Sequence, residues 1–221
     1  MANSSLATYR KISSKSNPRT GKITKITIHH MSGKMTGKQC ADYFATTDRE
    51  VSANYCVGYD GDIAVSVDED RREWTSSSRE NDYAAVTIEV SNDGGAPDWH
   101  VSDKALAATI KLCADICKRN GIKKLYYDGT TAATLTRHCM FANTDCPGLY
   151  LKSKTTYICD EVNKLIYASS TTTKPSTSTS TTTNKTLWRV QVGAYSVKKN
   201  AENMRDRLKA AGFTAIIVEG K

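Results

Sequence analysis

Apolar and polar residues follow two periods along the chain, and each period predicts one kind of element. Alternation with a period of two predicts β-strands at residues 23–29, 53–57, 62–67, 86–91 and 124–127. Apolar residues three and four positions apart predict helices at residues 36–46, 102–120 and 154–168. Strands interleaved with helices indicate an α/β fold, with a mixed central β-sheet flanked by helices.

Residues that begin and end elements support these boundaries. Ser102 is a good N-cap for the second helix, and Gly121 supplies a stop at its end. Asp60 and Gly61 lie between two predicted strands, and an Asp-Gly pair is a strong hairpin signal. The sheet therefore contains at least one antiparallel pair.

The composition changes sharply at residues 169–186, which are almost entirely serine and threonine. This segment has no apolar residue to bury, so it predicts a linker. It separates a first domain at residues 1–168 from a tail at residues 187–221. The first domain is long enough to form its own core.

The tail has the pattern of a small β-α-β module, which is half of a ferredoxin-like fold. Residues 187–192 and 213–218 alternate as strands, and Gly212 ends the helix between them. One face of that helix is apolar, at Ala201, Met204, Leu208 and Ala211. Half a sheet exposes an apolar face and a strand edge, so we expect two tails to pair in a homodimer. The alternative is a degenerate, partly disordered tail.

The charge and the apolar content limit the classes of partner. The net charge of +8 favours a polyanion, but the basic residues are scattered, so no nucleic-acid partner is expected. No apolar run approaches the roughly 18 to 20 residues that span a bilayer, and we expect no stable membrane insertion. The N-terminus lacks the pattern of a signal peptide, which predicts a protein made and left in the cytoplasm unless something releases it.

The chain has seven cysteines, and without an export signal these indicate reduced thiols rather than a disulfide framework. Cys113 and Cys117 lie one helical turn apart, but no second pair has a matching spacing. We therefore interpret them as small core residues.

His138 and Cys146 have the spacing of two metal ligands, and a further histidine is available at His29 or His30. Two histidines and one thiolate form a tetrahedral zinc site with one open position, where a catalytic water binds. The alternative is a purely structural zinc, which needs a fourth protein ligand, and Asp145 is the nearest candidate.

Four segments resemble the zinc-dependent N-acetylmuramoyl-L-alanine amidases of the type 2 family, which includes phage lysozyme-type amidases and peptidoglycan recognition proteins. They occur in the family's order, at residues 26–30, 52–61, 86–90 and 138–148. The resemblance implies one Zn²⁺ per chain, peptidoglycan as the partner, and hydrolysis of the amide bond between N-acetylmuramic acid and L-alanine. The tail resembles half of a sporulation-related (SPOR) repeat, a family that binds peptidoglycan glycan strands.

The resemblance also implies the metal ligands, which are His29, His138 and Cys146. The family places its metal histidine first in the pair, which selects His29 over His30. Neighbours on a strand face opposite ways, so both histidines cannot readily reach one ion.

Glu89 is the predicted general base, because it lies on a mostly apolar strand and resembles the glutamate that several of these amidases use. Many relatives carry a catalytic tyrosine where this chain has Ala53. The absence of that tyrosine strengthens the prediction that Glu89 is the general base. The alternative is a solvated glutamate on a half-exposed strand. Thr144 occupies a position where some relatives have lysine, and its hydroxyl can donate one hydrogen bond to an oxyanion. Substrate contacts are also plausible in the loops, at Trp74, Asn81, Trp99 and His100.

Together these features predict a phage or prophage endolysin that is made in the bacterial cytoplasm without a signal peptide and acts on the cell wall after release. A cytoplasmic amidase that recycles soluble muropeptides is the nearest variant, but it has little use for a wall-binding tail. The alternative of a different class is a non-catalytic peptidoglycan-binding recognition protein.

Overall fold

The computed structural model describes residues 2–168, 198–210 and 216–218, and the chain divides into two compact units, residues 1–174 and 175–221. The strands of the first unit are β1 (Tyr9–Arg10), β2 (Ser16–Pro18), β3 (Lys25–His30), β4 (Tyr55–Val57), β5 (Ile63–Val65), β6 (Arg71–Glu73), β7 (Ala85–Val90) and β8 (Leu135–Arg137). Its helices are α1 (Gly37–Thr46), α2 (Arg79–Ala84), α3 (Asp103–Asn120) and α4 (Gly148–Ala168). A 3-10 turn at His138–Met140 follows β8.

A six-stranded sheet organises the first unit, in the order β1-β5-β4-β7-β3-β8. Only β4 and β5 pair antiparallel, and the other neighbours are parallel, so the predicted mixed sheet is confirmed. In register, Glu89 of β7 lies beside His29 of β3 on one side and Cys56 of β4 on the other. These three side chains therefore share one face of the sheet. Strands β2 and β6 form a separate antiparallel pair.

The larger hydrophobic core lies on the opposite face, against α3 and α4. It contains alternate residues of the sheet and one side of each helix, including Ile26, Ile28, Ile88, Leu112, Ile116, Leu151 and Ile158. A fully buried aliphatic side chain of this kind stabilises the fold by about 1.5 to 3 kcal/mol. Cys113 and Cys117 are buried in this core, as predicted.

Helix α1 covers part of the face that carries Glu89. Cys40, Ala41 and Phe44 of the helix pack with Cys56 and Ala64 of the sheet in a second, smaller cluster. The remainder of that face is polar and buried, since Thr27, Thr87 and Thr136 have no exposed area. This arrangement contradicts the half-exposed strand that was the alternative for Glu89.

The predicted helix boundaries hold at both ends of α3 and at the start of α1. The Ser102 hydroxyl accepts a hydrogen bond from the amide of Ala105, and Gly121 is left-handed with φ 70°. Thr36 caps α1 in a reciprocal capping box with Gln39. These local signals satisfy backbone groups that would otherwise lack a partner at a helix end.

A buried carboxylate joins the N-terminal part of the unit to α3. Glu69 has no exposed surface, and its two oxygens accept from Arg119 Nη2 at 2.6 Å and Nη1 at 2.8 Å. Asn120 and the hydroxyl of Tyr55 also donate to it. Burial, with the nearby Glu69 carboxylate, raises the pKa of the Tyr55 hydroxyl. Tyr55 is therefore a core residue, as the sequence predicted.

The predicted strand at residues 124–127 is wrong. The side chain of Asn163 binds both the amide and the carbonyl of Leu125, so those groups are not available to a strand neighbour. The edge strand is instead β8, which the sequence pattern did not predict. Helix α4 begins at Gly148, six residues before the predicted start at residue 154.

Within the second unit, the structure describes helix α5 (Lys198–Ala210), which matches the predicted helix of the tail. The linker at residues 169–186 and the strand at 187–192 lie outside the described residues. Of the second predicted strand, only residues 216–218 are described, without regular structure. None of the helices among the described residues is long and apolar enough to span a membrane.

Candidate metal and catalytic site

The parallel register of three strands brings the site together. His29 lies near the carboxyl end of β3, directly beside Glu89 of β7. On the other side of β3, Ile28 pairs with Arg137 of β8, so His138 follows in the position next to His29. The rings of His29 and His138 have centroids 4.4 Å apart.

Cys146 completes a cluster with these two histidines. One ligand atom from each of His29, His138 and Cys146 lies within 4.8 Å of the others. Bonds from zinc to histidine nitrogen and cysteine sulfur are about 2.0 to 2.3 Å, so one ion can reach all three after small side-chain adjustments. The cluster is of the type that zinc prefers.

Polar atoms of the cluster that lack a hydrogen-bond partner also indicate a binding site for a cation. Among the described residues, the Nε2 atoms of His29 and His138 are buried without a hydrogen-bond partner. Buried nitrogens of this kind are costly unless they are bound to something. A metal ion satisfies both at once, so the residues present fit zinc.

His30 and Asp145 lie outside this cluster. The Nδ1 atom of His30 is 3.1 Å from the side-chain oxygen of Asn92, and its ring meets Trp99 edge-on. Asp145 is exposed and is not part of the group of ligand atoms. Within the described part of the chain, the cluster therefore offers three protein ligands, whereas a structural zinc site usually has four.

The Cys146 thiol is held by backbone groups of its surroundings. The amide of His30 donates to Cys146 Sγ at 3.4 Å, and the Cys146 carbonyl accepts from the amide of Cys139 at 3.0 Å. The hydroxyl of Thr144 accepts from the Cys146 amide at 3.2 Å. Thr144 is therefore beside the cluster, with its hydroxyl proton still available to donate.

Glu89 lies at the edge of the cluster in a poorly solvated position. Its side chain is 12% exposed, and Oε1 is 3.8 Å from Nδ1 of His29. Among the described residues, Oε2 is buried without a hydrogen-bond partner. Burial raises the pKa of Glu89 to about 8. A carboxyl with a pKa near neutral is well suited to general acid and base catalysis.

The ligands themselves favour their neutral forms in the metal-free protein. Burial lowers the pKa of His29 and His138, and in His29 the neighbouring His138 adds to that effect. Burial raises the pKa of the Cys146 thiol, to which the nearby Glu89 carboxylate contributes. A bound cation reverses the effect on the thiol, because it stabilises the thiolate.

A buried network of hydroxyl and amide groups continues from the cluster along the same face, and no sequence pattern predicted it. Thr27 bonds Thr136 at 2.9 Å and accepts from the side chain of Asn81 at 2.9 Å. Thr75 bonds Thr87, two residues before Glu89, at 3.2 Å. These residues come from strands, a helix and a loop, so their contacts are visible only in the folded molecule.

The four loop residues considered as substrate contacts fall into different environments. Asn81 is buried and belongs to the hydroxyl network. Trp74 donates to the side chain of Asn17, and Trp99 packs against His30. His100 is exposed and bonds Asp93.

Comparison with known proteins assigns the family. The model of the N-acetylmuramoyl-L-alanine amidase family matches residues 19–149, which include every residue of the cluster and Glu89. This chain belongs to the N-acetylmuramoyl-L-alanine amidase family. A second model, the SPOR domain, matches residues 167–220 of the amidase. Both resemblances found in the sequence are thereby confirmed.

Solved structures share the amidase fold at low sequence identity. The catalytic domain of PlyG is 16% identical with a TM-score of 0.56, covering 76% of this chain and 98% of that one. AmpD is 19% identical with a TM-score of 0.55, covering 75% and 99%. The Staphylococcus aureus hydrolase AmiA, solved with its ligand, is 15% identical with a TM-score of 0.58, covering 73% and 84%. No curated protein matches the chain significantly.

Proposed function

We propose that this amidase is a zinc-dependent enzyme that cleaves the amide bond between N-acetylmuramic acid and L-alanine in bacterial peptidoglycan. The observation that carries the proposal is the cluster of His29, His138 and Cys146, whose ligand atoms lie within 4.8 Å of one another beside Glu89. One Zn²⁺ per chain fits this cluster. The family match supports the choice of bond.

The chain's own residues supply the proton transfers. A zinc ion held by the cluster contributes Lewis acidity, which polarises a carbonyl and acidifies water. Glu89 takes a proton from the attacking water and delivers it to the nitrogen of the leaving L-alanine. Thr144 donates its hydroxyl proton to the oxygen that gains negative charge.

Digestion of purified peptidoglycan tests the reaction. Cleavage at the proposed bond releases new N-terminal alanine without new reducing sugar. We expect the release to stop with a chelator and return when zinc is added. New reducing sugar instead of alanine amino groups indicates a glycosidase and refutes the proposal.

Replacement of Glu89 by glutamine tests its role separately from the metal. We expect Glu89→Gln to lower turnover by about 10²- to 10⁴-fold while zinc affinity stays close to that of the wild type. Glu50→Gln, at an exposed loop position, is the matched control and should leave turnover unchanged. Turnover of Glu89→Gln near the wild-type rate removes Glu89 from the mechanism.

A non-catalytic peptidoglycan-binding protein is the second candidate function. The SPOR match supports wall binding on its own, whether or not the first unit is catalytic. Against this candidate, all three ligands and the carboxylate are present and close together. If the protein binds peptidoglycan but releases no N-terminal alanine in the digestion assay, the result favours the non-catalytic function.

We also propose that the amidase is a phage or prophage endolysin that reaches the cell wall after release from the cytoplasm. One solved structure described as a mutant endolysin, from Bacillus subtilis, shares its fold at 17% identity and a TM-score of 0.52. Expression in a bacterium with and without a membrane-permeabilising protein tests this role. We expect lysis only when both are present, and lysis by the amidase alone argues against it.

For the tail, we propose that two copies pair to make one wall-binding module, which gives a homodimer. The SPOR match at residues 167–220 supports the module. Sedimentation of the full chain and of a chain ending at Ala168 measures the masses. We expect a dimer and a monomer respectively, and monomers for both contradict the pairing.

A further inference from the structure

Cys146 differs from the two histidines in the way it reaches the cluster. His29 lies within a central strand and His138 directly follows an edge strand, whereas Cys146 lies in the loop between the 3-10 turn and α4. Loops lack the regular hydrogen bonds that fix a strand, so another part of the molecule must hold this one in place.

The loop that follows β7 provides such a support. Trp99 lies directly against Gly148, two residues after Cys146. A Cβ atom at Gly148 would lie 2.5 Å from Cβ of Trp99 and 3.0 Å from its ring, and Gly148 has φ +84°. Only glycine allows the Cys146 loop to approach the tryptophan this closely. Backbone bonds reinforce the contact, since the amide of Tyr150 donates to the carbonyl of Asp98 at 2.9 Å.

The other side of Trp99 faces the strand that carries His29. The rings of Trp99 and His30 meet edge-on with centroids 4.8 Å apart. Asn92 connects the same two residues, because its amide donates to the Trp99 carbonyl at 2.8 Å and its oxygen lies 3.1 Å from His30 Nδ1. The His30 backbone amide in turn donates to Cys146 Sγ.

The backbone of Trp99 shows that its position is imposed by these contacts. Its φ is 53°, in the left-handed region. A bulky residue adopts this conformation only where the surrounding structure over-determines it. The side chain is thereby wedged between the segment of one ligand and the segment of another.

We propose that Trp99 is a positioning residue that sets the distance between the Cys146 loop and β3, and through it the geometry of the metal cluster. This inference rests on the proposed zinc site. It assigns no contact with substrate to Trp99. Outer residues that orient metal ligands typically contribute 10- to 100-fold to metal affinity.

Two substitutions distinguish the packing of the Trp99 ring from the polarity of its indole nitrogen. Trp99→Ala removes the ring from Gly148 and should weaken zinc binding about 10-fold or more, measured by competition with a chelator. Trp99→Phe keeps a ring at the contact and should bind zinc within about twofold of the wild type. The indole nitrogen is buried without a partner among the described residues, so phenylalanine loses no hydrogen bond there.

Cobalt substitution reports on Cys146 directly. In the Co²⁺-loaded wild type, a bound thiolate gives a sulfur-to-cobalt charge-transfer band, and Cys146→Ala supplies the reference spectrum without it. We expect Trp99→Ala to lose or shift this band at saturating cobalt, whereas Trp99→Phe restores it. A merely structural effect on stability lowers the unfolding midpoint but leaves the band of the folded protein unchanged.

The outcomes distinguish this inference from the proposed function. A wild type that binds no zinc refutes the metal site itself. A wild type that binds zinc, with the same affinity and cobalt band in Trp99→Ala, overturns the role of Trp99. If Trp99→Ala does not fold, Asn92→Ala is measured instead, because it removes the side chain that connects Trp99 to His30. Wild-type affinity and band in that variant also overturn the inference.

Discussion

The raised pKa of Glu89 predicts that the metal-free protein loses stability as the pH rises. The folded pKa is about 8 against an ordinary value of 4.5, and the side chain is 12% exposed. Between these values, the folded chain keeps a proton on Glu89 that the unfolded chain has released. Because the folded state binds more protons, the free energy of unfolding falls with pH throughout this window.

The magnitude follows from the two pKa values. One pKa unit corresponds to about 1.4 kcal/mol, so from pH 5 to pH 8.5 this group should lower the free energy of unfolding by about 3 to 4 kcal/mol. Glutamine at the same position cannot ionise. The variant Glu89→Gln should therefore lack this decline, so the difference in stability between the variant and the wild type should grow by that amount from pH 5 to pH 8.5.

Urea unfolding of the chelator-treated protein at several pH values measures the effect. Glu50→Gln is the control, because that glutamate is exposed and its loss should leave a profile parallel to that of the wild type. Added zinc should shrink the decline, since a neighbouring cation favours the ionised carboxylate. Parallel profiles for the wild type and Glu89→Gln, within about 1 kcal/mol, would refute the reasoning.

Three further predictions concern stability. Zinc at 100 times its Kd should raise the free energy of unfolding by about 2.7 kcal/mol, and a chelator should reverse this in thermal melts; an unchanged melting temperature contradicts it. Glu69→Gln should cost about 2 to 4 kcal/mol in urea unfolding, because it leaves Arg119 without its buried partner, whereas Asp115→Asn should cost less than about 1. Equal losses of stability in the two variants would contradict a larger contribution from the buried Glu69–Arg119 pair. Gly58→Ala should cost about 1 to 3 kcal/mol, since its Cβ would lie 2.5 Å from the backbone nitrogen of Gly37, while Gly33→Ala meets nothing within 4 Å and should be neutral.

The sequence predicted those helices and strands whose boundaries are set by residues close together in the chain. Helix α3 has a serine cap, an apolar face and a terminal glycine, so its bounds were predicted closely. The strand β8 has three residues and no alternating pattern of its own, and its pairing with β3 forms it. The start of α4 at Gly148 was also missed, because the apolar period becomes evident only further along the helix.

The candidate site likewise combines residues that the sequence indicated with contacts that form only in the folded molecule. The spacing of His138 and Cys146, with the family resemblance, pointed to ligands that the structure brings together with His29. The roles of Glu89 and Thr144 remain predictions, although both lie beside the cluster. The support from Trp99 could not be predicted, because it depends on two loops that meet only in the folded molecule.

The contact between the His30 amide and the Cys146 sulfur joins residues that are 116 positions apart. During synthesis, a ribosome that has made the strands up to β7 has made only one of the three cluster residues, His29, because His138 and Cys146 come later in the chain. Domains fold as units while the chain emerges, and this one cannot assemble its cluster until the segment preceding α4 is complete. A chain truncated before that point lacks Cys146 of the cluster and the whole of α4, which packs in the core, so incomplete translation products should be inactive.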